Sequence, residues 1–202
     1  FQENNISSRN IHYQPQGLPL IHATNNALRA NNILVITGTL NYHPNIASVH
    51  HFVDKILPLV QQSYPDIRLQ LIGANPDHSI AALATNPSIE ITGFVPSITD
   101  YLSRSTIALA PVVYGSGVQI KVLEAFLTST PVVATSVALR GLDVQHEREV
   151  LIADTPEDFA AGIGRLLSSS ELRNHIGAAG RKYIEARTAN SLPKTKTAKN
   201  KA

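Results

Sequence analysis

The sequence predicts an α/β fold, a doubly wound parallel sheet in a Rossmann-like three-layer domain. Short, branched, apolar segments that close on glycine alternate with segments in which apolar residues recur at helical spacing. Continuous apolar strands are typical of a sheet that is buried on both faces. Because strand and helix alternate about six times, parallel strands joined by right-handed helical crossovers are the arrangement expected.

The first elements show this alternation most clearly. A strand is predicted at 32–38, where NILVITG is apolar and ends in glycine. A helix is predicted at 45–64, since Pro44 is tolerated in a first turn and apolar residues follow at helical spacing: Ala47, Val49, Phe52, Val53, Ile56, Leu57 and Val60. The second strand, IRLQLIG at 67–73, again closes on glycine.

The same pattern continues towards the carboxyl end. Helices are predicted at 79–85, 97–105, about 118–128 and about 169–186, and strands at 89–94, 106–112, 130–135 and 148–154. A further helix begins with Thr155 as N-cap, Pro156 in the first position, and Glu157 and Asp158 in the positive first turn.

The length of 202 residues suits one domain, which we expect to span 32–187. Residues 1–31 are rich in Asn, Gln, Ser and His, and we interpret them as a linker or the remnant of an interdomain connection. Residues 188–202 end in KTKTAKNKA and are interpreted as a basic, disordered tail. Methionine is absent even at position 1, so we expect the chain to be part of a longer protein.

Composition narrows the classes of function. The net charge of +2 gives no broad basic field, so a nucleic-acid partner is not expected. The absence of cysteine excludes disulfides and thiolate metal sites. No apolar stretch approaches the roughly 20 residues of a membrane helix, so no transmembrane segment is expected. A cytoplasmic location is the expectation that follows.

The segment YGSGVQIKVLEAF at 114–126 is the best candidate for a functional site. It follows a predicted strand, and doubly wound sheets bind ligands beyond the carboxyl ends of their strands. Gly115 and Gly117 allow positive φ and close approach of a ligand. The helix that follows directs its free N–H groups and its positive dipole end at the turn, and Lys121 adds a formal charge. These features suit a diphosphate.

Glu124 lies within the same helix among apolar neighbours, where a charge is costly unless it is paired or solvated. A carboxylate can accept hydrogen bonds from both hydroxyls of a ribose, so the segment would fit a nucleotide. Two alternatives remain open. Glu124 can pair with Lys121 on a solvated face, and the glycines can be ordinary turn residues. The pattern is neither a Walker loop nor a dinucleotide fingerprint.

Four segments in unbroken order between about 32 and 186 carry a wider resemblance. They are TGTLNYHPNIASVHHFVDKILPLVQQSYPDIRLQLIGANP, IEITGFVPSITDYLSRSTIALAPVVYGSG, GSGVQIKVLEAFLTSTPVVATSVALRGL and VLIADTPEDFAAGIGRLL. They resemble the carboxyl-terminal, nucleotide-sugar-binding domain of the group 1 (family 4) glycosyltransferases. Within that family the likeness is greatest to sugar transferases with a G-x-x-x-Y-x-P-N start.

The resemblance implies one half of a two-domain, B-type glycosyltransferase. In this family the amino-terminal domain binds the acceptor, the carboxyl-terminal domain binds the nucleotide-diphospho-sugar, and a sugar is transferred with retention and without a metal. This chain would then be the donor-binding half of a hexosyltransferase-type enzyme, with UDP-sugar as the expected donor and no further cofactor. An acceptor glycan or lipid-linked glycan would be held by a missing amino-terminal domain. Polysaccharide biosynthesis in the cytoplasm, with peripheral contact to the inner membrane face, is the expected setting.

The resemblance also implies site residues, although it assigns none to catalysis. Glu124 matches the carboxylate that holds the ribose, and Lys121 matches a basic position near the diphosphate. The remaining matches fall in three turns, which contact the phosphates, the base, and the sugar with the diphosphate: Gly38 and Thr39; Gly93, Phe94 and Val95; Gly115, Ser116, Gly117 and Val118. For Phe94, packing in the core remains an alternative.

Two departures from the family pattern bear on function. Ser116 stands where the family has a first glutamate, eight residues before Glu124. The turn GTLNYHPN lacks the arginine and lysine that many members carry, so phosphate neutralisation must come from elsewhere. These departures support an alternative function, a degenerate and non-catalytic Rossmann-like interaction module.

Other classes of function have less support in the sequence. A nicotinamide oxidoreductase would share the fold, but the first glycine turn lacks an acidic residue at the expected offset of about 20 residues. His43, His50 and His51 do not form a metal ligand set, so no metal is expected. His146 is interpreted as a loop surface residue.

Overall fold

The computed structural model describes residues 32–191. The predicted linker at 1–31 and residues 192–202 of the predicted tail lie outside the described residues. Within 32–191, no helix is both long enough and apolar enough to cross a membrane.

A sheet of six parallel strands forms the centre of the domain, which confirms the predicted α/β, doubly wound fold. The strands lie in the order β3-β2-β1-β4-β5-β6. Strands β2 and β3 therefore lie on one side of β1, and strands β4, β5 and β6 lie on its other side. The bounds are β1 Ile33–Thr37, β2 Arg68–Ile72, β3 Ile89–Gly93, β4 Ile107–Ala110, β5 Val132–Ala134 and β6 Leu151–Ile152.

Helices cover both faces of the sheet. Their bounds are α1 His43–His51, α2 Leu57–Ser63, α3 His78–Ala82, α4 Ile98–Arg104, α5 Ile120–Leu127, α6 Pro156–Ser168 and α7 Ser170–Ser191. Successive residues of a strand point to opposite faces, so Leu34 and Ile36 join one core while Val35 joins the other. The first core packs against α1, α2, α3 and α6, and the second against α4, α5 and the carboxyl half of α7.

The helix predicted at 45–64 is continuous, but its middle is not α-helical. Between α1 and α2 the stretch Phe52–Ile56 is a π-helix, and the N–H of Leu57 bonds the carbonyl of Phe52. Pro58 explains this change, because it has no N–H and its ring crowds the preceding turn. Wider hydrogen-bonded turns relieve that crowding.

Two elements in the carboxyl-terminal part of the chain, β6 and α7, also differ from their predicted bounds. β6 has two residues instead of the predicted seven, since it pairs only with the three-residue strand β5 at the edge of the sheet. α7 continues to Ser191, so the predicted domain end at 187 falls inside a helix. The sequence offers no glycine or proline after Gly180 until Pro193, and a residue before proline disfavours helix.

Candidate functional site

The candidate site lies where the order of the strands reverses, between β1 and β4. These two strands are neighbours in the sheet, and Val35 pairs with Ala108. The connections that leave them depart to opposite sides, because the next strand after β1 is β2 and the next after β4 is β5. A crevice opens at such a point beyond the carboxyl ends of the strands. The turns at 38–42 and 111–119 form its two sides.

The turn after β1 is tight and needs its glycine. Gly38 has φ +145, and its N–H donates to the carbonyl of Ile72 at 3.0 Å. A Cβ at Gly38 would lie 2.8 Å from Nδ2 of Asn45. That amide donates to the carbonyl of Thr39 at 2.9 Å, which ties the turn to the first turn of α1. The side chain of Thr39 itself is exposed.

The turn after β4 has space above it. Gly115 and Gly117 have φ +154 and +84, a range that favours glycine. A Cβ at Gly117 would meet nothing within 4 Å, so the conformation and not crowding requires glycine there. Ser116 is exposed and Val118 is half-buried. The turn therefore presents open backbone at the crevice.

The amino-terminal end of α5 points its backbone donors towards this turn. Gln119 is the N-cap residue, and its side chain makes no capping hydrogen bond. The first N–H groups of a helix lack intrahelical acceptors and lie at the positive end of the helix dipole. An anion in the crevice would supply the missing acceptors.

Lys121 reaches across the crevice from α5 to α1. Its Nζ donates to Oδ1 of Asn45 at 2.8 Å. Loss of hydration lowers the pKa of Lys121 from 10.5 to about 8, and the carboxylate of Glu124 partly opposes this shift. The site thus holds a poorly hydrated ammonium group, which binds an anion more strongly than a fully solvated one.

Glu124 lies three residues further along α5, and its side chain is half-buried. Burial raises the pKa of its carboxyl group, and the nearby charge of Lys121 opposes that rise. In the part of the chain that the structure describes, this carboxylate makes no hydrogen bond and no ion pair within 4 Å. Glu124 and Lys121 therefore form no direct ion pair, although their charges interact along the helix. The lysine bonds Asn45, and the carboxylate remains able to accept from a ligand.

The turn after β3 presents an aromatic ring to solvent. Gly93 has φ +69, and its carbonyl accepts from the N–H of Gly73 at 3.2 Å. The Phe94 side chain is 79% exposed, so the alternative of core packing is wrong for this residue. The side chain of Val95 is buried in the second core, which leaves only its backbone for contact with a ligand.

Three residues of the crevice were given no individual role in the donor site from the sequence. Asn45 joins Thr39 to Lys121, and the hydroxyl of Tyr114 hydrogen-bonds Nδ1 of His43. The rings of Tyr114 and His43 also contact each other, with centroids 5.9 Å apart. The one available indication was the start Y-x-P-N, which contains Asn45 and His43. The two contacts themselves join residues more than 70 positions apart.

Several apolar side chains are exposed at the carboxyl edge of the sheet. Within 32–191, the exposed large hydrophobic residues all follow the carboxyl ends of strands: Tyr42, Phe94, Val113, Tyr114 and Ile120. We call these five residues the apolar rim. Exposed apolar side chains that lie at one edge of a sheet are available to contact a ligand or another protein.

The histidines do not assemble a metal centre in the described part of the chain. Among residues 32–191, no group of three or more His, Cys, Asp or Glu side chains is placed to hold a metal ion. His50 is instead hydrogen-bonded to Ser79 at 3.0 Å. His146 is an exposed loop residue whose Nδ1 accepts from the N–H of Ile152 at 2.9 Å.

Comparison with known families identifies one match that covers most of the domain. Residues 31–169 match the family described as glycosyl transferases group 1. A curated relative, an uncharacterized 44.6 kDa protein in the cps region of Klebsiella pneumoniae, is 26% identical over 147 residues. The match covers 65% of this chain and 36% of that protein, so the chain spans about a third of its curated relative.

Solved structures share the fold at low sequence identity. TarM of S. aureus, in a mutant form in complex with Fondaparinux, alpha-GlcNAc-glycerol and UDP, has a TM-score of 0.73 and 15% identity over 87% of this chain and 36% of that one. HepE of Anabaena, in complex with UDP and glucose, has a TM-score of 0.65 and 14% identity over 80% and 46%. The carboxyl-terminal domain of LpcC from Francisella tularensis has a TM-score of 0.60 and 16% identity over 79% and 87%.

Proposed function

Because the chain belongs to the group 1 glycosyltransferases, we propose that it is the half of a retaining enzyme that binds the sugar donor, a nucleotide-diphospho-sugar. The enzyme transfers a hexose-type sugar from this donor to an acceptor that another domain holds. The observation that supports the proposal is the hydrogen bond from Lys121 on α5 to Asn45 on α1, which brings an ammonium group to the switch point of the sheet. Glu124, a half-buried carboxylate, lies one turn further along the same helix.

Each of these two groups suits a different part of the donor. The diphosphate binds at the glycine turn of Gly115 and Gly117, where the N–H groups of α5 and the ammonium of Lys121 converge. The carboxylate of Glu124 accepts hydrogen bonds from the ribose hydroxyls, which also compensates for its burial. The exposed ring of Phe94 and the backbone of Gly93 and Val95 bind the base.

The same groups act on the transfer step. When the bond between the sugar and the diphosphate breaks, negative charge develops on the departing phosphate oxygen. Preorganised N–H donors and the Lys121 ammonium stabilise that charge, which is the task a divalent metal performs in other enzymes. We therefore propose transfer without a metal. Ser116 stands near the sugar in place of a glutamate, so the contact there is made by a hydroxyl.

UDP is the nucleotide we propose for the donor. The structures of TarM and HepE, which share this fold, contain UDP. The second candidate, GDP, differs in the base and not in the diphosphate, so it would use the same turn and the same Lys121. The two are distinguished by measuring both in the binding experiment below.

The acceptor requires a second domain, and the apolar rim is consistent with one. Its five side chains are exposed at the carboxyl edge of the sheet, and we propose that a second domain covers them. A match in a cps region favours an acceptor glycan or lipid-linked glycan in polysaccharide biosynthesis. We further propose that the enzyme works at the inner membrane face. Sequencing of the gene upstream of Phe1 tests whether an acceptor-binding domain is encoded there.

Binding of UDP to the 202-residue chain tests the donor site directly. At about 100 times the dissociation constant, a ligand stabilises the native state by about 2.7 kcal/mol. For a domain of this size we expect the midpoint of thermal unfolding to rise by about 5 to 10 °C. At the same UDP concentration Glu124→Ala and Lys121→Ala should reduce the rise strongly, because binding is weakened, whereas Glu171→Ala and Lys182→Ala, which change exposed residues of α7, should retain it.

The contrary result is equally informative. If millimolar UDP and GDP leave the unfolding midpoint of the native chain unchanged, the donor-binding function is wrong. The alternative, a non-catalytic interaction module, would then be favoured, and it predicts a specific protein partner in affinity purification.

A further inference from the structure

The turn after β1 contains no cationic side chain, yet a cation lies beside it. The segment GTLNYHPN at 38–45 has neither Arg nor Lys. The ammonium of Lys121 comes to this turn from α5, and Asn45 connects the two. Its Oδ1 accepts from Nζ of Lys121 at 2.8 Å, and its Nδ2 donates to the carbonyl of Thr39 at 2.9 Å.

We propose that Asn45 is a positioning residue that holds the ammonium of Lys121 beside the turn of Gly38 and Thr39, at the place where the donor diphosphate binds. This inference rests on the proposed function. It means that one lysine from α5, directed by an amide from α1, neutralises the diphosphate in place of the missing basic pair.

The chemistry of the two partners makes an amide suitable at this position. One partner is a carbonyl that needs a donor, and the other is an ammonium that needs an acceptor. Asn offers one of each, and the reverse orientation of its amide would bring NH₂ against ammonium and oxygen against carbonyl. Asp would lack the donor, and Leu would lack both groups.

Packing at the turn fixes the position of the Asn45 amide, and its two hydrogen bonds fix the orientation. The amide nitrogen of Asn45 lies so close to Gly38 that a Cβ there would be only 2.8 Å away. The lysine side chain, in contrast, is long and has many rotamers, so an acceptor at a fixed place selects the productive one. The contact joins α5 to α1 through two residues that are 76 positions apart in the sequence.

The acceptor is neutral, which leaves the charge of Lys121 available. Glu124, on the same helix, is the charged group that acts on Lys121, and Asn45 is the hydrogen-bond partner that α1 provides. A carboxylate at position 45 would form an ion pair with the lysine and repel the diphosphate. An amide directs the ammonium without neutralising it.

A double-mutant cycle tests this role on the 202-residue chain. Isothermal titration calorimetry would measure the dissociation constants of UDP, inorganic pyrophosphate and uridine. We expect Asn45→Ala to weaken UDP and pyrophosphate by about tenfold, as for the loss of one hydrogen bond to a charged group. In the Lys121→Ala background the same change should cost less than about twofold, because its effect passes through the lysine.

Uridine and a matched control separate positioning from folding. Uridine carries no phosphate, so its affinity should be unchanged in Asn45→Ala. Asn174→Ala changes an exposed amide on α7 and should leave all three affinities unchanged. If Asn45→Ala does not fold, Asn45→Ser replaces it in the cycle, because its shorter hydroxyl cannot reach both partners.

The outcomes are distinguishable. An equal loss of pyrophosphate affinity with and without Lys121, or no loss at all, overturns the positioning role while the donor site stands. Failure of the native chain to bind UDP and pyrophosphate overturns the proposed function and this inference together.

Discussion

Lys121 combines a buried position with a charge that the proposed function requires. Loss of hydration brings its pKa from 10.5 to about 8, and only the carboxylate of Glu124 on its own helix counteracts this. An ordinary lysine stays charged throughout the pH range in which proteins are studied. The charge of Lys121 is instead lost within a range that binding experiments can reach.

UDP affinity should therefore fall as the pH rises through about 8. The diphosphate binds the protonated lysine, and the terminal phosphate, whose pKa is about 6, is already ionised at neutral pH. Above pH 8 the affinity should drop by up to about tenfold for each pH unit, until the raised pKa of Lys121 in the complex is reached. Calorimetry between about pH 7 and 9.5 measures this.

Variants identify the group responsible for the pH dependence. Lys121→Ala should bind UDP weakly but with a flat profile over this range, whereas Lys182→Ala should retain the fall of the native chain. A flat profile for the native chain would contradict the assignment of Lys121 as the diphosphate cation.

At the scale of elements, α5 carries the site and α7 supports α5 from behind. The two helices approach closely where α7 has glycines. A Cβ at Gly177 would lie 2.2 Å from the carbonyl oxygen of Ser129, and one at Gly180 would lie 2.6 Å from Cδ1 of Phe126. Arg181 also donates to the carbonyl of Leu127, the last residue of α5. The position of α5 thus depends on small residues in its neighbour.

Replacement of glycine by alanine in two helices should consequently have opposite effects on the free energy of unfolding. Gly177→Ala forces a methyl group against backbone that cannot rotate away, and we expect it to destabilise the fold by about 1 to 3 kcal/mol. Gly164→Ala, in α6, meets only Tyr64 at 3.6 Å. It should stabilise by up to about 1 kcal/mol, because alanine is the better helix former. Urea denaturation of both variants measures the difference, and destabilisation of equal size would contradict it.

The elements that could be predicted from sequence are those with a local cause. Apolar runs closed by Gly38, Gly73 and Gly93 mark strands because the glycine and the strand are adjacent. The π-helical stretch was missed because the effect of Pro58 depends on whether packing keeps the helix continuous through it. The short β6 was missed because its length depends on its neighbour β5, not on its own apolar residues.

The candidate site likewise has some features that could be predicted from local sequence and others that depend on distant contacts. The glycine turn, Lys121 and Glu124 lie within ten residues of one another, so their spacing could be interpreted from sequence. The bond from Lys121 to Asn45 joins distant segments, and it exists only because β1 and β4 are neighbours. The exposure of Phe94 is likewise a property of the folded surface, since an aromatic residue after a strand is equally compatible with the core.

At the scale of the whole molecule, the sheet separates two cores that differ in their relation to the site. Phe126 belongs to α5 and to the second core, where it contacts the ring of Tyr183 at a centroid distance of 5.8 Å. Phe159 belongs to α6 and to the first core, where it contacts Phe52 at 6.2 Å. Both rings are 1% exposed and make edge-to-face contacts, so they are a matched pair on opposite faces.

Truncation of either ring should destabilise the domain, but only one truncation should impair the site. We expect Phe126→Ala and Phe159→Ala each to lower the free energy of unfolding by about 3 to 5 kcal/mol, since both leave a large cavity. Each should shift one cooperative urea transition, because the two cores share a single sheet. Phe126→Ala releases α5, which presents Lys121 and Glu124, so UDP affinity should fall by about tenfold or more. Phe159→Ala should change it by less than about twofold, because α6 does not contribute to the crevice. Calorimetry at a temperature where both variants remain folded measures these affinities. Equal losses of UDP affinity would mean that the site depends on overall stability and not on the position of α5.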